Sequence, residues 1–125
     1  MKQFIVCFCL IFLVFGFVKS KNFDSYPPVV KTLTLSRGII YKDCTNKNCS
    51  DTTDKIDIAV EAHDAENDVI SYMYEITGGK IIGSGAKVVW DLSDVKTGDY
   101  TITVWANDGC GKCSNTMTQK VKIVE

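Results

Sequence analysis

Apolar and polar side chains alternate one by one along most of this 125-residue chain, a period that suits extended backbone and defeats an amphipathic helix. Ile56, Ile58, Val60 and Ala62 alternate with Asp57, Ala59, Glu61 and His63. Ile70, Tyr72, Tyr74 and Ile76 alternate with Ser71, Met73 and Glu75. The pattern recurs at Ala86, Val88 and Trp90, at Tyr100, Ile102, Val104 and Ala106, and at Val121 and Ile123, while Val29 to Leu35 offers one more run. Breakers separate the runs: Gly38, the polar stretch Asp43 to Asp54, Asp64 to Asp68, Gly78-Gly79, Gly83 to Gly85, Ser93 to Gly98 and Asn107 to Asn115. Six or seven short strands between turns predict an all-β, antiparallel sandwich of about seven strands, with a barrel as the structural alternative.

The first twenty residues break this pattern. Lys2 precedes an unbroken apolar run from Phe4 to Val18, and Val18 and Ser20 stand at −3 and −1 of a cut before Lys21. A run of fifteen apolar residues falls short of the ~20 that a helix needs to cross a bilayer. Residues 1–20 therefore read as a signal peptide helix rather than an anchor, and no stable membrane span is expected after its cleavage. Cys7 and Cys9 sit early inside the run, where a lipid acceptor would follow it. The expected location is secreted, either extracellular or periplasmic.

Composition takes its meaning from the chain that remains. Lys2 and Lys19 leave with the leader, so 12 basic face 15 acidic side chains over 105 residues, a net charge of −3. No basic surplus points to nucleic acid. At this length ~65% of the unfolded surface can be buried, enough for one core and too little for two domains. The expected organisation is an extended lead-in over residues 21–28, stiffened by Pro27-Pro28, and one sandwich over residues 29–125.

Five segments, in order, carry a family resemblance: Ala62 to Tyr72, Gly78 to Gly85, Val89 to Leu92, Thr97 to Val104, and Asn107-Asp108-Gly109. Together they resemble a bacterial PKD-type, immunoglobulin-like domain over about residues 29 to 124. Tyr100, just after the Gly98 turn and opening the penultimate strand, fits the tyrosine corner of such folds. Two departures stand out. Tyr74 occupies the place where the family usually has Trp, and Cys110-Gly111-Lys112-Cys113 interrupts the Asp-Gly turn. An inter-sheet cysteine pair is also missing. The resemblance implies an extracellular module for spacing, adhesion, or protein and glycan contact at the cell surface, without enzymatic activity.

Four cysteines follow the leader, Cys44, Cys49, Cys110 and Cys113, an even number in an exported chain, which favours disulfides. Three pairings exist. On the sandwich expectation the two pairs lie at opposite ends, which selects Cys44–Cys49 and Cys110–Cys113 as loop braces. A four-thiolate zinc site would need all four sulfurs within ~2.3 Å of one ion, against that placement. A redox role for Cys110-x2-Cys113 would want a helix after the first cysteine, and none is expected.

Asp64, Glu66 and Asp68 place alternating carboxylates in one loop, and Asp108 falls in a loop at the same expected end. Hard oxygen donors in this pattern suit calcium, and no other cofactor is expected. The plainer reading is that Asp and Asn merely favour turns. Trp105 projects to the outer face of its strand, as does Met73 on a neighbouring one, and large exposed apolar side chains can mark a contact surface. The alternative is a ring covered by a loop or the last strand. His63 stands alone, with no nucleophile and orienter at a recognisable spacing and no Gly-x-Ser-x-Gly elbow, so no enzyme is expected. Asn48-Cys49-Ser50 formally fits a glycosylation acceptor and decides nothing further. The expected function is a non-catalytic binding or structural module, with an accessory calcium or glycan site near Asp64, Asp68 and Asp108 as the alternative.

Overall fold

The computed structural model describes residues 26–42, 53–109 and 112–125. The signal peptide assigned to residues 1–20 and the first part of the lead-in lie outside the described residues, as do Cys44, Cys49 and Cys110. Among the described residues every regular element is a strand: β1 Val29–Leu35, β2 Ile39–Tyr41, β3 Lys55–His63, β4 Ser71–Ile76, β5 Lys80–Ile82, β6 Lys87–Asp91, β7 Gly98–Asn107 and β8 Met117–Val124. They form two four-stranded sheets, ordered β1-β3-β6-β5 and β2-β8-β7-β4. No helix there is long and apolar enough to cross a membrane.

Alternation builds the core directly. Ile56, Ile58 and Val60 of β3, Val88 and Trp90 of β6, Ile102, Val104 and Ala106 of β7, and Val121 and Ile123 of β8 all turn inward, and form one cluster shared by both sheets. Trp90 is its largest member, fully buried, and lies opposite Ile56 on one neighbouring strand and Ile81 on the other. Its indole Nε1–H donates to the carbonyl of Gly78 at 2.9 Å, so the one polar atom of the ring is satisfied where water is excluded. Tyr74 is partly buried instead, its hydroxyl donating to the Gly85 carbonyl at 2.6 Å, and burial pushes its pKa up to about 12. Tyr100 opens β7 and donates its hydroxyl to the carbonyl of Lys96 at 2.8 Å, four residues back. That bond ties the turn to the strand it feeds.

Three sequence expectations need correction. The described residues hold eight strands, where the sequence reading had about seven. The second sheet is mixed rather than antiparallel, because β2 runs parallel to β8, with Ile40 opposite Ile123. A three-residue strand has one inward residue, so β2 shows no period, and a partner eighty residues away leaves no local mark. The β5 strand hides likewise between the glycines read as breakers. Gly79 has φ +78°, and a Cβ there would meet the Asp91 carbonyl oxygen at 2.4 Å. The glycine closes the turn after β4, as the sequence reading had it, and also lets β5 start against β6. The alternation of β1 also slips: its register shifts between Val30 and Thr32, so that Val30 and Leu33 are buried while Val29 is exposed.

Candidate metal centre

The chain leaves the first sheet at the end of β3 and enters the second at β4, and the loop between them folds around one carboxylate. Asp64 is only 3% exposed. Its Oδ1 accepts the backbone N–H groups of Glu66 at 2.9 Å and Asp68 at 3.1 Å, and its carbonyl accepts the Asn67 N–H at 3.2 Å. Asn67 takes a left-handed φ of 57°, which asparagine tolerates better than most residues. To this extent the loop is the turn that Asp and Asn commonly build. The consequence is that side chains two residues apart converge. Asp64, Glu66 and Asp68 can each offer a carboxylate oxygen lying within 4.8 Å of the other two.

Turn formation accounts for one oxygen of Asp64 and not for the other. Oδ2 is buried without a hydrogen-bond partner, alone in this among the side chains of the described residues. A carboxylate oxygen in that position forfeits its hydration with nothing in return, which is costly unless a counter-charge completes it. Asp91 is the instructive contrast. It too is buried, yet its Oδ1 accepts both the N–H and the hydroxyl of Ser93, at 3.0 and 2.7 Å, and Lys80 Nζ lies 3.9 Å from its Oδ2. The Ser93 bonds come first among the influences that hold the Asp91 carboxyl below its ordinary pKa.

Asp108 brings the second sheet to the same place. It follows β7, is 5% exposed, and its Oδ1 accepts the Lys112 N–H at 3.3 Å. Desolvation, then the charges of Asp64, Glu66 and Asp108, raise the pKa of the Asp68 carboxyl. Four acidic groups thus share one end of the molecule, and their mutual repulsion is felt at Asp68. The donor set is all hard oxygen, and oxygens up to 4.8 Å apart can span a cation bound at ~2.4 Å from each. Among the described residues no thiolate or imidazole, which softer metals prefer, joins the three.

No family model, no curated protein and no solved structure matches this chain.

The remaining sequence-assigned residues fall in two other places. Met73 and Trp105 sit directly opposite each other on β4 and β7, Met73 exposed and Trp105 half-buried, so the outer face of the second sheet carries both. Cys113 is half-buried just before β8, and the other cysteines lie outside the described residues. The flanks of the two cysteine segments are at opposite ends of β8: Lys42 N–H donates to Val124 O at its end, whereas Cys113 bridges to Asn107 before its start. Seven residue steps of strand, ~23 Å, separate those ends. His63 is exposed at the end of β3. Two participants escaped sequence reasoning. The burial of Asp64 has no sequence signal, and neither does the Tyr26 N–H, which donates to Glu66 Oε1 at 2.9 Å across forty residues.

Proposed function

We propose that the chain is an exported, non-catalytic binding module of immunoglobulin-like, PKD-type architecture whose loop end binds calcium through Asp64, Glu66, Asp68 and Asp108. The buried, unpartnered Oδ2 of Asp64 carries this reading, because a turn needs only the other oxygen. Calcium suits the loop better than magnesium, which demands near-ideal octahedral geometry and keeps its waters. The leader read in residues 1–20 supports export, where calcium is plentiful and disulfides persist. In that compartment Cys44–Cys49 and Cys110–Cys113 brace their own loops. Titration with a thiol reagent in denaturant should find no free thiol in the cleaved chain until reductant is added; four free thiols without reductant would overturn the pairing.

The cation reading predicts a calcium-dependent melting temperature. Extracellular calcium modules bind with Kd of ~10⁻⁴ to 10⁻³ M. At ~10 mM calcium and a Kd of ~1 mM, linkage adds about 1.4 kcal/mol, a rise of about 5–10 °C for a domain of ~100 residues. Identical midpoints in calcium and in chelator would sink the assignment. A second surface has its own observation behind it: the Met73–Trp105 pair on the outer face of the second sheet, a place for a protein or glycan at the cell surface to contact.

A further inference from the structure

Glu66 is long, exposed and rotatable, a poor ligand unless something holds it. One thing does. The Tyr26 N–H donates to its Oε1 at 2.9 Å, and a carboxylate engaged at one lone pair keeps others for a cation. Tyr26 is itself held in place by the two prolines after it. Pro27 and Pro28 have fixed φ, and Pro28 is fully buried, so the residues joining Tyr26 to β1 cannot swing independently of the sheet. The start of β1 is stitched to the other layer as well: the Asn115 side chain accepts the Val30 N–H at 3.0 Å and donates to the Val30 carbonyl at 3.1 Å. A backbone donor anchored on both sheets is thus aimed at the longest side chain of the acidic cluster.

We infer that the lead-in Tyr26–Pro28 is a working part of the cation site: its Tyr26 N–H positions Glu66 as a ligand, so that calcium docks the lead-in and the docked lead-in tightens calcium binding. This rests on the calcium reading above. Without the ion, the like charges of Asp64 and Asp68, with carboxylate oxygens within 4.8 Å of that of Glu66, work against the Tyr26 bond. With it, the same carboxylates hold Glu66 in the pose that Tyr26 requires. Linkage makes the effect reciprocal, so whatever calcium adds to lead-in order the lead-in returns as affinity.

The test reads one amide. Pro27 and Pro28 have no N–H, so the Tyr26 amide is isolated from that of Val29, and its hydrogen exchange can be followed in the purified protein with calcium or with chelator. Exchange should slow by about fivefold or more with calcium. Calcium titration of Tyr26→Pro, which deletes the N–H, should show affinity lowered about threefold to tenfold, whereas Tyr26→Ala, which keeps it, should stay within about twofold of the parent. If calcium binds the parent protein yet leaves the Tyr26 amide unchanged, or binds Tyr26→Pro as tightly as the parent, the inference falls and the cation site stands. If the parent protein binds no calcium, the site itself is wrong and the inference goes with it. The exchange measurement uses the unaltered chain, so poor folding of Tyr26→Pro would not shield the idea.

Discussion

An Asp64→Asn chain should melt at the same temperature in calcium and in chelator, having lost the stabilisation that the parent gains from the ion. Asparagine keeps an oxygen where Oδ1 stands, so the N–H groups of Glu66 and Asp68 retain their acceptor and the turn persists. What changes is the orphan: a neutral amide nitrogen replaces the unpartnered Oδ2, so no charged oxygen is left buried there without a partner. Removing one of four like charges also relieves the repulsion felt at Asp68, so in chelator the variant should be as stable as the parent or more so. Calcium affinity should fall at least about tenfold, the loss of a charged ligand costing upward of about 1.4 kcal/mol. Asp64→Ala should behave differently. It removes both oxygens, strands two N–H groups, and should cost about 2 kcal/mol of stability even in chelator. Calorimetric titration and melting of the three proteins separate these effects. A parent-like calcium response in Asp64→Asn would show that Oδ2 has no part in holding the ion.

Trp90→Ala should have the largest effect on stability of any single change in the core. Trp90 is wholly buried at the centre of the first sheet, between Ile56 and Ile81, and its loss leaves a cavity that strands on both sides prevent from collapsing. Truncations of this kind cost about 3–5 kcal/mol. Here the Gly78 carbonyl also loses its donor. Domains of this size are stable by about 5–15 kcal/mol, so the loss removes from about a fifth to all of that margin. Trp90→Phe should recover part of the loss, since it restores most of the ring volume and not the hydrogen bond. Urea unfolding with an unchanged m-value checks both, and a cost below about 1 kcal/mol for the alanine variant would mean that the ring is not the keystone its burial indicates.

The two substitutions illustrate different degrees of legibility. Trp90 was readable: it alternates with Val89 and Asp91, and a large apolar residue in that phase has only one dry place to go. The same logic places Met73 and Trp105 together on an outer face, because alternation fixes the side of a sheet that each occupies. Which strands are neighbours was harder. The parallel pairing of β2 with β8 depends on Gly38 and Lys42 meeting the last strand, far away in sequence. The acidic loop was readable as a cluster of carboxylates and as a turn. Its distinctive feature was not, since an aspartate in water and one buried with an idle oxygen are written with the same letter.

Local chemistry is enough to make this chain extended, to divide it at its glycines and acidic turns, and to assign an inner and an outer face to each long strand, because those properties depend on neighbours one or two residues away. The closing of two layers over Asp64, the approach of Asp108 from the other sheet and the reach of the Tyr26 N–H to Glu66 arise between segments remote in sequence, and burial and charge repulsion come into being only when such segments meet.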